Sequence, residues 1–347
     1  MALHAGSDEA VKRCLMTRLI LTTSYSGSGS LKVAGLADIV LPIEPELVWG
    51  PLPTDAQLAK MLGARSAPRT REPSIWLDKV KLSRREAIEA KGIGLVEFCA
   101  ECESVELWVD PEPNAQLILI WLLSCFRGHE AASRLALVQS HVRIADKSPE
   151  MISTWMPPPV AITSEHLDIA NIAWAAYRAP TPQAWFELLA RDLRPLPKLR
   201  PAVLALLEEL PGFGSGLGAT ERRLLELIDD GCAHPFDLFP GHKRLNQRQV
   251  FEYWAVGELL DGLAHCPAPA VTGLEEGPFE LDMHQDRARR ERYRQSQLAL
   301  TPLGEAILAG RDDFSRHNPI RRWWGGTELR NDRLWRWDPA RGAPIAP

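Results

Sequence analysis

The chain has 347 residues, 45% of them hydrophobic and 24% charged, with a net charge of −5. That length suits two or three domains with a substantial core, and the weak negative balance excludes a global electrostatic pull toward nucleic acid or anionic membrane. The longest dense apolar run, Leu117 to Phe126, is about half the roughly 20 residues that cross a bilayer, and six cysteines follow no disulfide framework, so a cytoplasmic protein with no membrane partner is expected.

Residues 1–16 read as a polar lead-in without the apolar stretch of a secretory signal. Arg18 to Thr23 is a β-rich run, Ser24 to Ser30 a Gly/Ser loop, and Leu31 to Leu36 a short helix or turn. A second strand is expected at Ile39 to Leu41. Pro42, Pro45, Pro51 and Pro53 then force irregular structure, because proline lacks a backbone donor and restricts its predecessor. Asp55 to Leu62 reads as a helix, Ala64 to Pro73 as a surface loop, and Ser83 to Ile93 as a charged helix stopped by Gly92 and Gly94. Val105 to Val109 is a strand. Asn114 is the expected N-cap of an all-round apolar helix from Ala115 to Phe126, which predicts burial. With a strand at Leu135 to Val138 this makes a strand–helix–strand unit of parallel βαβ type.

Three prolines between Trp155 and Pro159 mark a linker, and helices dominate thereafter. They are expected over Glu165 to Arg178, from Thr181-Pro182 to about Leu193, and over Lys198 to Leu210, Glu221 to Asp230, Phe236 to Phe239 and Gln247 to Leu263. Strands follow at Ala270 to Thr272 and Gln297 to Leu300, and Thr301-Pro302 caps a short helix ending at Gly310. Helices followed by strand, basic insert and strand are the order of a winged helix–turn–helix. The predicted architecture is a small parallel α/β domain with flanking helices over 1–155, a helical connection over 156–215, and a winged-helix-like domain over 216–347 with a Trp/Arg-rich tail.

Three stretches resemble a bacterial family known as domain of unknown function 1835. They are the N-terminal strand and Ser/Gly segment with Trp49-Gly-Pro-Leu-Pro53; Leu107-Trp-Val-Asp110 with Gln116-Leu117; and a C-terminal half carrying Ala173-Trp-Ala-Ala-Tyr-Arg178, Gly216-Leu-Gly-Ala-Thr-Glu-Arg-Arg-Leu-Leu225, Leu300-Thr-Pro-Leu-Gly304, Ile320-Arg-Arg-Trp-Trp-Gly-Gly326 and Trp335-Arg-Trp-Asp338. The resemblance implies no reaction. Where that family carries an Arg-Asp pair this chain has Glu44-Pro45-Glu46, and Pro111 and Ala115 replace polar residues, which implies an altered or inactive member if the family site is catalytic.

Both early strands run into polar turns, and in a parallel sheet both turns share one edge, where α/β proteins place ligands. Ser24, Ser26 and Ser28, assisted by Lys32, are candidates for holding an anion through hydroxyls and helix-start amides. Asp110 and Glu112 are candidates for acid–base or metal work, or for capping the helix. Gln116 and His141 could reach the same edge. Cys99-Ala-Glu-Cys102 lacks a second ligand pair for zinc, and no metal or cofactor is assigned. In the C-terminal half, Arg287, Arg289, Arg290, Arg292 and Arg294 form a basic insert able to track phosphates, with Gln247, Arg248 and Tyr253 on or near the recognition helix. Trp323, Trp324, Trp335 and Trp337, interleaved with arginines, are read as tail packing. Two functions follow as expectations: a regulatory or interaction protein contacting nucleic acid or a protein partner, or an intact or degenerate enzyme binding a phosphorylated, nucleotide-like small-molecule anion at the sheet edge.

Overall fold

The computed structural model describes residues 17–64, 76–155, 157–240 and 245–347. The lead-in and most of the loop expected at Ala64 to Pro73 lie outside the described residues. Two compact units interleave along the chain. The first takes the described residues of Met1–Leu47, Pro53–Ala175 and Asp192–Arg200, and the second those of Val48–Leu52, Ala176–Arg191 and Pro201–Pro347.

The first unit is built on β1 (Arg18–Thr22), α1 (Tyr25–Val33), β2 (Ile39–Pro42), α2 (Asp55–Leu62), α3 (Leu82–Lys91), α4 (Leu95–Ala100), β3 (Ser104–Val109), α5 (Pro113–Phe126), β4 (Leu135–Gln139), α6 (Pro149–Trp155), β5 (Val160–Ala161) and α7 (Ser164–Tyr177), the last crossing into the second unit. Among the described residues the sheet has five strands in the order β2-β1-β3-β4-β5. Strands β1 to β4 run parallel, with Leu21 beside Leu107 and Leu107 beside Leu137. Leu19, Leu21, Leu41, Val105, Leu107 and Val138 are all buried, as expected where helices cover both faces. The sheet is mixed rather than purely parallel, because β5 pairs antiparallel with β4 just beyond the proline linker.

From β1 the chain steps outward to β2, whereas from β3 it steps to β4 on the other side. Right-handed crossovers in opposite directions must lie on opposite faces. Accordingly, Leu31 of α1 packs with Ile20, Val40, Trp108 and Val138 on one face, and Gln116 of α5 reaches Gln139 of β4 on the other. The expected Gly/Ser loop is itself helical. Ser24 is the N-cap of α1 and accepts a hydrogen bond from Gly27 N, and a Cβ on Gly27 would lie 3.3 Å from Ile144 Cβ. Asn114 does not cap α5, whose N-cap is Glu112. It takes Leu47 N at 2.8 Å and donates to Pro45 O at 3.1 Å, pinning the proline-rich strand exit.

The second unit contains α8 (Gln183–Glu187), the body of α9 (Leu199–Leu207), α10 (Ala219–Asp229), α11 (Tyr253–Ala264), β6 (Val271–Thr272), α12 (Leu281–Gln285), α13 (Arg287–Gln295), β7 (Ala299–Leu300), α14 (Pro302–Leu308) and the short strands β8 (Arg321–Trp324), β9 (Thr327–Arg330), β10 (Arg336–Asp338) and β11 (Ala343–Ile345). The helix expected from Gln247 begins only at Tyr253. Asn246 fixes the preceding stretch, taking Arg248 N and donating to Leu238 O, and Phe251 packs edge-on against Trp49. The basic insert is helical too, capped by Asp286 at Ala288 N and Arg289 N. In the tail, Trp324 donates to Leu206 O at 2.7 Å and packs on Tyr177. Gly325-Gly326 turns β8 into β9 so close to the Tyr177 and Arg178 carbonyls that any Cβ there would collide. Arg322, Arg333 and Arg336 pair with Glu221, Glu328 and Asp313.

Candidate ligand site at the sheet edge

With the order β2-β1-β3-β4, the reversal of winding falls between β1 and β3, and in open α/β sheets a crevice forms there beyond the carboxyl ends of the strands. The two polar turns singled out from sequence flank this point. They are joined directly, since Asp110 N donates to Thr23 Oγ1 at 3.2 Å.

Asp110 is 4% exposed and organises the edge. Its Oδ1 accepts from Ile144 N at 2.8 Å and its carbonyl accepts from Gln116 Nε2 at 2.7 Å. One residue thus ties the turns after β1, β3 and β4. Glu112 faces Arg143, with Nε 3.0 Å from Oε1. Both carboxylates therefore lock the turn after β4. Glu112 stands at the N-cap of α5 but makes no side-chain cap hydrogen bond there. Among the described residues no three His, Cys, Asp or Glu side chains converge as metal ligands.

The serines separate. Ser24 and exposed Ser26 stand at the start of α1, but Ser28 is buried and donates to Tyr25 O at 2.7 Å. Lys32 lies in the last helical turn, roughly 10 Å along the axis from the N-terminus at 1.5 Å per residue, so it cannot assist an anion at the helix start. Glu44 occupies that start: its Oε1 accepts from Tyr25 N, and its other oxygen lies 3.5 Å from Lys79 Nζ. His141 is exposed beyond β4, with Nδ1 2.6 Å from Lys198 Nζ. Sequence reasoning missed Arg143, Glu44 and Lys198. Glu44 entered the sequence reading only as a replacement within the family's Arg-Asp stretch, and no local motif marks Arg143 or Lys198. Two further polar atoms at strand ends, Thr22 Oγ1 and Gln139 Oε1, are buried without a hydrogen-bond partner among the described residues.

Elsewhere the candidates are more internal than expected. Cys99 and Cys102 are fully buried, and burial first, then the neighbouring Cys102, pushes the Cys99 thiol well up, the opposite of an activated thiolate. Arg248 lies shortly before the start of α11, and its guanidinium binds Glu209 at 2.7 Å, Glu208 at 2.9 Å and Ala205 O at 3.1 Å, so it is engaged internally. On α13, Arg289 and Arg292 share Glu276 and Arg294 pairs with Glu291, while Arg287 and Arg290 are exposed. The segment Val48–Leu52 covers part of α11 through Trp49, whose Nε1 donates to Glu258 at 2.7 Å. No protein-family model and no curated protein matches the chain.

Proposed function

We propose that the first unit binds a small phosphate-bearing ligand in the crevice between the start of α1 and the β3–α5 turn. The observation that carries this reading is the strand order, which sets the point of winding reversal between β1 and β3. At the same carboxyl edge are a helix N-terminus capped by Ser24 and a half-buried Arg143, with the Lys198–His141 pair beyond β4. Helix-start amides and a guanidinium suit phosphate oxygens. The commitment of Asp110 and Glu112 to the turn after β4 makes the reading one of binding, not acid–base turnover. Kinship with the domain of unknown function 1835 family is part of the proposal and rests on the motifs quoted above.

Thermal melts with ATP, ADP, AMP and inorganic phosphate test it. At least one compound at millimolar concentration should raise the melting temperature by several degrees. Arg143→Ala should lose that gain, and Glu44→Ala, which vacates the α1 start, should bind several-fold tighter. If none of the four compounds shifts the wild-type melt, the reading is wrong.

A second reading concerns the other unit. Helix α10, the turn at Pro235–Leu238, helix α11 and the β6–β7 ladder follow the order of a winged helix, with α12 and α13 in the place of the wing. Exposed Arg287 and Arg290 favour nucleic-acid contact there. Oligonucleotide binding should then weaken steeply between about 50 and about 200 mM salt and drop in Arg287→Ala with Arg290→Ala. Binding that ignores both would leave a protein partner as the reading for this surface.

A further inference from the structure

At the start of α1 an anion is already seated. The Glu44 carboxylate accepts from Tyr25 N with one oxygen, and its other oxygen lies 3.5 Å from Lys79 Nζ. Lys79 closes a one-turn helix, Trp76–Lys79, whose Trp76 and Leu77 are fully buried and whose Trp76 Nε1 donates to Gly63 O at 2.9 Å. The ammonium is therefore held from the core side, and Pro42 O at 3.5 Å is a further partner. The same ammonium lies 5.4 Å from the centroid of the Tyr25 ring, within cation–π range. One cation thus serves both an anion and an aromatic face. Tyr25 is 66% exposed, so its ring keeps a broad area open to solvent beside the seated carboxylate. Glu44 lies in irregular chain past β2 and its side chain can rotate away without breaking a strand ladder; a partly exposed ion pair of this kind holds it only weakly. Two residues before the Ser24 cap, Thr22 is 1% exposed and its hydroxyl has no partner among the described residues. It shares a sheet face with Ile20 by strand alternation, and that face packs against Leu31 of α1. A buried hydroxyl left over at this end of the α1 face is a second polar group that a bound ligand would satisfy.

We infer that the ligand of the sheet-edge site is a nucleoside monophosphate. Its phosphate takes the place of the Glu44 carboxylate between Tyr25 N and Lys79, and its base stacks on the open face of Tyr25. This assignment rests on the phosphate-binding reading above and adds the ligand class and the two residues, Tyr25 and Lys79, that fix it. Every base has a π face, so stacking of this kind demands a planar ring next to the anion and tolerates any base.

Titration calorimetry of the full chain with AMP, CMP and ribose 5-phosphate tests it. AMP and CMP should each bind about ten-fold tighter than ribose 5-phosphate, within the range for one stacked base. Tyr25→Ala should remove that advantage and leave ribose 5-phosphate binding unchanged, whereas Tyr25→Phe, which keeps the ring, should retain it. Because Tyr25 is exposed, both variants should melt with the wild type. Lys79→Met should weaken all three compounds by about ten-fold, the loss expected for one charged hydrogen bond. Equal binding of AMP and ribose 5-phosphate by the wild type would overturn the nucleoside assignment and leave the phosphate site standing. So would an AMP advantage that survives Tyr25→Ala, or affinities that ignore Lys79→Met. If none of the three compounds binds, the phosphate-binding reading fails and the assignment falls with it.

Discussion

Replacing Arg248 by alanine should cost about 3–5 kcal/mol of stability, the range for breaking one side of a buried ion pair, and lower the melting temperature by about 10 °C. The reason lies in what Arg248 holds. Glu209 is 5% exposed and accepts from Thr220 N at 3.1 Å, Thr220 Oγ1 at 2.7 Å and Arg248 Nε at 2.7 Å. It thereby satisfies the start of α10 from α9's C-terminal side. Burial already pushes its carboxyl above the usual range despite the guanidinium. Without Arg248 the carboxyl would be raised further, and the folded state would hold a proton that the unfolded state releases. Stability of the variant should therefore fall more steeply than that of the wild type as pH rises through and above the ordinary carboxylate range. Adding Glu209→Gln should recover roughly half of the loss, because an amide oxygen still accepts from Thr220 while the unpaired charge is gone. Calorimetry of the single and double variants decides this; a single variant that melts with the wild type would show the pair to be dispensable.

Asp261→Asn should do the reverse at neutral pH and stabilise the second unit by about 2–3 kcal/mol. Burial raises the Asp261 carboxyl from 3.8 to about 6, and a shift of about two units is worth roughly 3 kcal/mol. The groups facing it are mixed. His265 Nδ1 lies 3.6 Å away and Phe279 N donates to Oδ2, both favouring the charge, while Glu258 and Glu280 oppose it and the buried Tyr293 stands close by. A carboxyl raised on folding binds more protons in the folded state between its two pKa values. Wild-type stability should thus decline as pH rises from about 4 to about 6, and then level off. Asparagine keeps an acceptor for Phe279 N and removes the titration. Urea unfolding at pH 4 and pH 7.5 should show near-equal stabilities at the lower pH and the full gain at the higher one. A gain of the same size at both would assign it to packing rather than ionisation.

Much of the first unit is readable from local pattern. The runs Leu19–Leu21, Val105–Val109 and Leu135–Val138 are short, apolar and bounded by turn residues, and each is a buried parallel strand. The helix Ala115 to Phe126 is apolar on every side and is buried. The Ser/Gly segment misled because serine and glycine signal turns by propensity, whereas here Ser24 caps a helix and Gly27 admits Ile144 at close range. In the basic insert, Glu276, distant in sequence by more than a helix turn, claims Arg289 and Arg292, while Arg287 and Arg290 stay exposed; local pattern does not separate the two sets. The tail was legible as packing because arginine and tryptophan at high density need partners, and the Gly-Gly pair marked its turn.

By itself the sequence determined the buried strands β1, β3 and β4, the apolar helix α5, and where α14 begins at Thr301-Pro302. Those features follow from side-chain volume, branching and capping, which act over a few residues. Only the tertiary structure decided that β1 and β3 are neighbours, that Arg143 meets Glu112, that Glu44 occupies the start of α1, and that Arg248 belongs to Glu209. Each of those pairings is set by which helix covers which face of the sheet or by burial of a charge beside a distant partner, and neither leaves a mark in the local pattern of residues.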